Sequence, residues 1–153
     1  MAYSVTWIPA VKTGTRRGIV FLECQGDRTV NALKDFEKMK ENRRRDLLRR
    51  FDHWIDGLHH PKYHHGWDEP DRRDCYVFKV RISGSHHRFY GFLIHPTPAS
   101  DPRFELCVLV SHVVKNTDRT DPSELKRVLD LKANQEVAEA IRRMFADRGS
   151  HGN

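Results

Sequence analysis

The segment from Cys75 to Phe92 constrains this chain most, because it carries two runs of strand character around a Ser83-Gly84-Ser85 turn. Successive side chains on a strand point to opposite faces, so Tyr76, Phe78, Val80 and Ile82 share one face and Cys75, Val77, Lys79 and Arg81 the other. A chain with this hairpin is committed to a sheet that buries apolar side chains. It also places Lys79 and Arg81 about 7 Å apart on one side of that sheet. Arg88 opens the returning strand nearby. Two fixed cations at that spacing suit a phosphodiester gripped from two sides. The same pattern also suits the wet face of an ordinary antiparallel hairpin.

The rest of the chain supplies elements to pack on that hairpin. Ile19 to Cys24 reads as a strand stopped by Gly26-Asp27. Asn31 to Leu58 reads as two helices, the second amphipathic through Leu47, Leu48, Phe51, Trp54, Ile55 and Leu58. Arg45, Arg49 and Arg50 fall on its polar side with His53, and with Arg43 and Arg44 they form the densest basic cluster of the chain. Asp46, Asp52 and Asp56 are interleaved, so a solvated helix face and an RNA-docking surface are both open readings. Pro96 to Pro102 is an irregular link to a strand starting near Phe104. Asp121-Pro122-Ser123-Glu124 is a helix start, with a capping Asp, Pro in the first turn and a Glu three residues after the cap. Residues 1–17 read as an arm or an extra edge strand, 18–147 as one domain and 148–153 as a polar tail.

At 153 residues with 38% hydrophobic and 31% charged content, one compact core is expected. The formal net charge of +6, before ten histidines are counted, favours polyanionic partners and above all nucleic acid. No apolar run approaches the roughly 18 residues of a membrane helix, and the N-terminus carries no signal-peptide pattern. The expectation is a cytoplasmic protein that does not enter membranes.

Cys24, Cys75 and Cys107 fall in strand patterns at wide spacings, which fits reduced core residues better than a disulfide framework or a zinc ribbon. His59, His60, His64 and His65 crowd the loop between Gly57 and Asp74, but no cysteine accompanies them and no helix presents them together, so no metal and no cofactor is expected. Phosphate-cradling glycine loops, nucleophile elbows and His-Glu-x-x-His helices do not occur.

The run Tyr76-Val77-Phe78-Lys79-Val80-Arg81, then Ser83-Gly84, Arg88-Phe89-Tyr90-Gly91-Phe92 and Val108 to Thr117, resembles the RelE/HigB toxin superfamily and its phage-derived branch. The likeness spans roughly residues 18 to 133. It implies an α+β fold: a small, mostly antiparallel sheet with an N-terminal helical hairpin and C-terminal helices. It also implies a toxin that cleaves messenger RNA without a metal, often on the ribosome, and is held by a small antitoxin protein. In that chemistry the RNA 2'-hydroxyl attacks the adjacent phosphate, so the protein takes a proton and stabilises charge on the phosphoryl oxygens. Arg81 is the expected phosphate-stabilising residue. Lys79 is expected to hold the backbone or to act as base, its proton loosened by the neighbouring cation. Arg88 and Lys115 are carried over as further catalytic cations; Arg119 is an RNA-binding candidate, as are Arg45, Arg49 and Arg50 of the basic helix face read above. The chain departs from the branch at Asn116, where a second Lys is common. His112 is the leading imidazole for proton transfer, with His86 and His87 as further candidates, although a hydrogen-bonded strand histidine is the plainer reading. A noncatalytic nucleic-acid or protein-binding module of phage origin is the alternative function.

Overall fold

The computed structural model describes residues 2–96, 103–117 and 119–151, with side chains described as far as Ala146. The expected link after Pro96 lies outside the described residues, as do Met1 and the last two residues of the tail. In chain order the elements are β1 (Tyr3–Thr6), β2 (Arg17–Cys24), α1 (Ala32–Lys38), α2 (Glu41–Ile55), β3 (His64–Gly66), β4 (Cys75–Ile82), β5 (Ser85–Ile94), β6 (Glu105–Lys115), α3 (Pro122–Ala133) and α4 (Gln135–His151). The six strands form one sheet in the order β1-β2-β6-β5-β4-β3.

This is a six-stranded mixed α/β sheet with helices on both faces, which corrects the expected small, mostly antiparallel sheet with an N-terminal helical hairpin and C-terminal helices. β2 and β6 run parallel, from Arg17 opposite Glu105 to Phe21 opposite Leu109, whereas the other pairings are antiparallel. α1 and α2 follow two strands rather than opening the fold, and they pack chiefly on the sheet, α1 against β2 and β6 and α2 against β2 and β4. The physical cause lies in the central strands. Ile19 to Leu22 and Leu106 to Val110 are apolar without alternation and fully buried, and a strand apolar on both sides requires cover on both faces. The arm before β2 supplies the edge strand β1, and the His-rich loop supplies the other edge, β3.

Two cores result. On one face Phe21, Phe36, Phe51, Trp54 and Phe78 pack between the sheet and α1 and α2. The rings of Phe51 and Phe78 meet edge to face at 4.9 Å, an arrangement adding about 0.5–1.5 kcal/mol beyond area burial. On the other face Val20, Val77, Tyr90 and Val108 meet Leu125, Val128, Val137 and Ile141 of α3 and α4. α2 ends at Ile55, and Leu58, expected on its apolar face, is 54% exposed. α3 starts as its sequence predicts, with the Asp121 carboxylate accepting a 2.9 Å bond from the Ser123 amide and Pro122 in the first turn. All three cysteines lie in strands and none forms a disulfide; Cys75 and Cys107 are buried as expected of core residues, whereas Cys24 is only half-buried. No helix among the described residues is long and apolar enough to cross a membrane.

Candidate nucleic-acid interface

The hairpin turn sets the geometry of the basic surface. Ser83 and Gly84 both have positive φ, 51° and 82°, as a two-residue turn between twisted strands requires. That turn pairs Ile82 with Ser85, and so fixes Arg81 opposite His86 and Lys79 opposite Arg88. His86 in turn pairs with Lys115 of β6. Arg81, His86 and Lys115 therefore form a row across three strands, each about 4.8 Å from the next.

Beside the row, β3 ends and leaves a cleft of about 510 Å³ along the β4 edge, lined by Arg50, Lys62, Tyr63, Lys79, Arg81 and His86 among others. Its wall is held by the Lys79 amide, which donates to the Tyr63 carbonyl at 2.8 Å. The Arg50 guanidinium lies over the Tyr63 ring, 4.2 Å from its centroid, while its buried Nε has no acceptor among the described residues. Arg81 is exposed and Lys79 half-buried, on the face of the sheet that Val77 shares. The expected alternation of β4 is the observed one.

Other sequence candidates have different surroundings. Arg88 is 1% exposed and points into the fold, where its Nη1 donates to the Arg119 carbonyl at 2.9 Å and its Nη2 to the Thr117 carbonyl at 3.4 Å. Lys115 Nζ donates to the same Arg119 carbonyl at 3.2 Å. The Arg119 side chain is exposed. Arg45 and Arg49 are exposed on α2 and paired with Glu41 and Asp46, and of the helix cations only Arg50 lines the cleft.

His112 sits on the opposite face, and a bulge puts it there. Tyr90 pairs with Ser111 but Gly91 with Leu109, so Val110 is the extra residue and the alternation of β6 is reset beyond it. His112 thereby joins Phe89 on the α1 side, the two rings stacked at 4.6 Å. The carbonyl of the bulged Val110 accepts from the Asn31 amide, and the Asn31 side chain grips the His112 backbone at both its amide (2.7 Å) and its carbonyl (3.2 Å). His112 Nδ1 meets Asp35 Oδ2 at 2.8 Å and His112 Nε2 meets His87 Nδ1 at 2.9 Å.

A second imidazole group lies by α2. His64, 1% exposed, bonds His53 at 2.9 Å and the Tyr76 hydroxyl at 2.6 Å. Burial, with the neighbouring His53, pushes the His64 pKa down to about 4, and burial raises that of Tyr76. Among the described residues, no group of three or more His, Cys, Asp or Glu is arranged to hold a metal ion.

Sequence reasoning passed over Lys62, Tyr63, Asn31 and Asp35. Lys62 and Tyr63 lie in an aperiodic loop, and Asn31 and Asp35 reach His112 from more than 75 residues away. No family model matches the chain, and neither a curated protein nor a solved structure is significantly similar to it.

Proposed function

We propose that this chain binds single-stranded RNA along the β4 edge and cleaves it without a metal, as the toxin of a toxin-antitoxin pair. The observation that carries the reading is the row Arg81–His86–Lys115 beside a cleft that adds Lys79, Lys62 and Arg50. Basic side chains gathered in register beside a groove are suited to a polyanion, and a single strand offers phosphates that can follow such a groove. Arg81, exposed and forked, is the group for the phosphoryl oxygens. Lys79 and Lys62 hold the flanking backbone, and Arg50, over Tyr63, offers a planar cation to a base. The messenger RNA presented on the ribosome is the substrate class. The antitoxin is a small protein that covers the cleft, because a free endoribonuclease would damage its own cell.

The engagement of Arg88 with the Thr117 and Arg119 carbonyls and the Thr120 hydroxyl favours a second reading, RNA binding without cleavage, since one expected catalytic cation is committed to the fold. Labelled single-stranded RNA and its 2'-deoxy counterpart separate the two. Cleavage of the RNA alone, lost in Arg81→Ala, supports the enzyme, whereas equal binding of both strands with neither cut supports the module. If neither strand binds, both readings fall.

A further inference from the structure

On the face opposite Lys79 and Arg81, Asp35, His112 and His87 form a single hydrogen-bonded chain whose outer member, His87, is half-buried. The Asp35 carboxylate accepts from His112 Nδ1–H at 2.8 Å. With that proton committed, His112 Nε2 is a lone-pair acceptor, and at 2.9 Å it takes the proton of His87 Nδ1. In that tautomer His87 Nε2 is the unprotonated nitrogen at the outer end of the chain. Asn31 holds both ends of the inner pair: its side-chain amide donates to Asp35 Oδ2 at 3.2 Å and its side-chain carbonyl takes the His112 amide. Phe89 stacks beneath the His112 ring, which leaves it little freedom to turn. This is an oriented imidazole with a carboxylate behind it, of the kind that takes a proton from a hydroxyl.

Position links the chain to the cleft. His87 is the cross-strand partner of Val80, so both lie on the same face with Cβ atoms about 5 Å apart, and Val80 itself lines the cleft. Val80 is only 4% exposed, so the pair lies at the floor of the cleft.

We infer that His87 is the general base of RNA cleavage, with His112 and Asp35 as positioning residues that fix its tautomer. The inference rests on the RNA-cleaving reading above. In the step, His87 Nε2 takes the 2'-hydroxyl proton as the 2'-oxygen bonds to phosphorus. The bond from phosphorus to the 5'-oxygen breaks, and that oxygen takes a proton from water. The products are a 2',3'-cyclic phosphate and a 5'-hydroxyl. The positive charge gained at His87 is shared through His112 with Asp35. Burial, His112 and Arg43 of α2 all lower the pKa of His87, which favours its neutral form. The charged and titratable groups facing it are thus His112 on β6, with Asp35 of α1 behind it, and Arg43; its β4 neighbour, Val80, does not titrate.

The test combines single-turnover cleavage of a labelled RNA oligonucleotide from pH 5 to 8 with nitrogen NMR of the histidine rings. Wild type should cleave faster as pH rises through one ionisation below that of a free imidazole, and both His87 and His112 should carry their proton on Nδ1. His87→Gln should lose at least about a hundredfold in rate with RNA affinity unchanged, and added imidazole should restore part of the loss in His87→Gly. Asp35→Asn should shift the ionisation and lower the rate about tenfold. Wild-type rates in a folded His87→Gln, or a His87 protonated on Nε2 at neutral pH, would overturn the assignment and leave RNA cleavage standing. A wild type that binds RNA but cuts none would overturn cleavage and the base together.

Discussion

Arg88 donates to the backbone carbonyl of Arg119, 31 residues further along the chain, and so ties the segment after β6 to the middle of β5. A buried guanidinium committed to carbonyls holds structure rather than substrate. Arg88→Ala should therefore cost about 2–4 kcal/mol of stability in urea titrations, while RNA affinity per folded molecule stays within about twofold. A fall in affinity at unchanged stability would return Arg88 to the phosphate-binding set.

His64 makes the fold sensitive to acid. Its pKa is about 4 in the fold against an ordinary 6.5, so between those values the unfolded chain binds a proton that the folded one refuses. The His64 contribution is complete above pH 6.5, is lost as pH falls from 6.5 to about 4, and amounts to a loss of about 2–3 kcal/mol at pH 4.5. Urea midpoints at pH 7.5 and 4.5 check this. His64→Gln should remove most of the difference, and an unchanged pH dependence in that variant would place the acid sensitivity elsewhere.

Gly91 is required by the bulge that turns His112 toward Asp35. A Cβ there would run into the backbone carbonyl of Val108 on the adjacent strand. Gly91→Ala should destabilise by about 1–3 kcal/mol or more and loosen the His112–Asp35 bond, read as a change in the His112 ring nitrogen shifts. Native stability with unchanged shifts would show that the strands can part without disturbing the histidine.

The alternation of β4, the cap of α3 and the strand placement of the three cysteines were legible because each depends on neighbours within a few residues, although Cys24 is only half-buried. The architecture was not. The unbroken apolar runs Ile19 to Leu22 and Leu106 to Val110 carried the signal for a sheet covered on both faces, but a resemblance drawn from the hairpin pointed to a smaller antiparallel one. β3 is three residues long and has no pattern of its own apart from the edge it pairs with. In the site, Lys79 and Arg81 were found by period two, whereas Arg88, on the same face by that rule, proved buried under a segment whose path local pattern does not specify. His112 was singled out, yet its face depends on one extra residue in β6. Its partners Asn31 and Asp35 come from the other half of the chain.

Binding along the β4 edge should be strongly salt-dependent. Arg81→Ala should weaken affinity for single-stranded RNA of every sequence about equally and reduce the slope of log affinity against log salt by about one. Arg49→Ala, paired with Asp46 outside the cleft, should change neither. Salt titrations by fluorescence anisotropy decide between the two surfaces, and a larger loss in Arg49→Ala would move RNA to the outer face of α2.

The central claim, cleavage of RNA at the Arg81 cleft, is tested most directly by inducing wild type and Arg81→Ala in bacteria and mapping messenger RNA 5' ends across the transcriptome. New ends bearing 5'-hydroxyls, together with growth arrest in the wild type only, are the predicted result. Soluble, folded protein from both genes with no new ends and no arrest would contradict it.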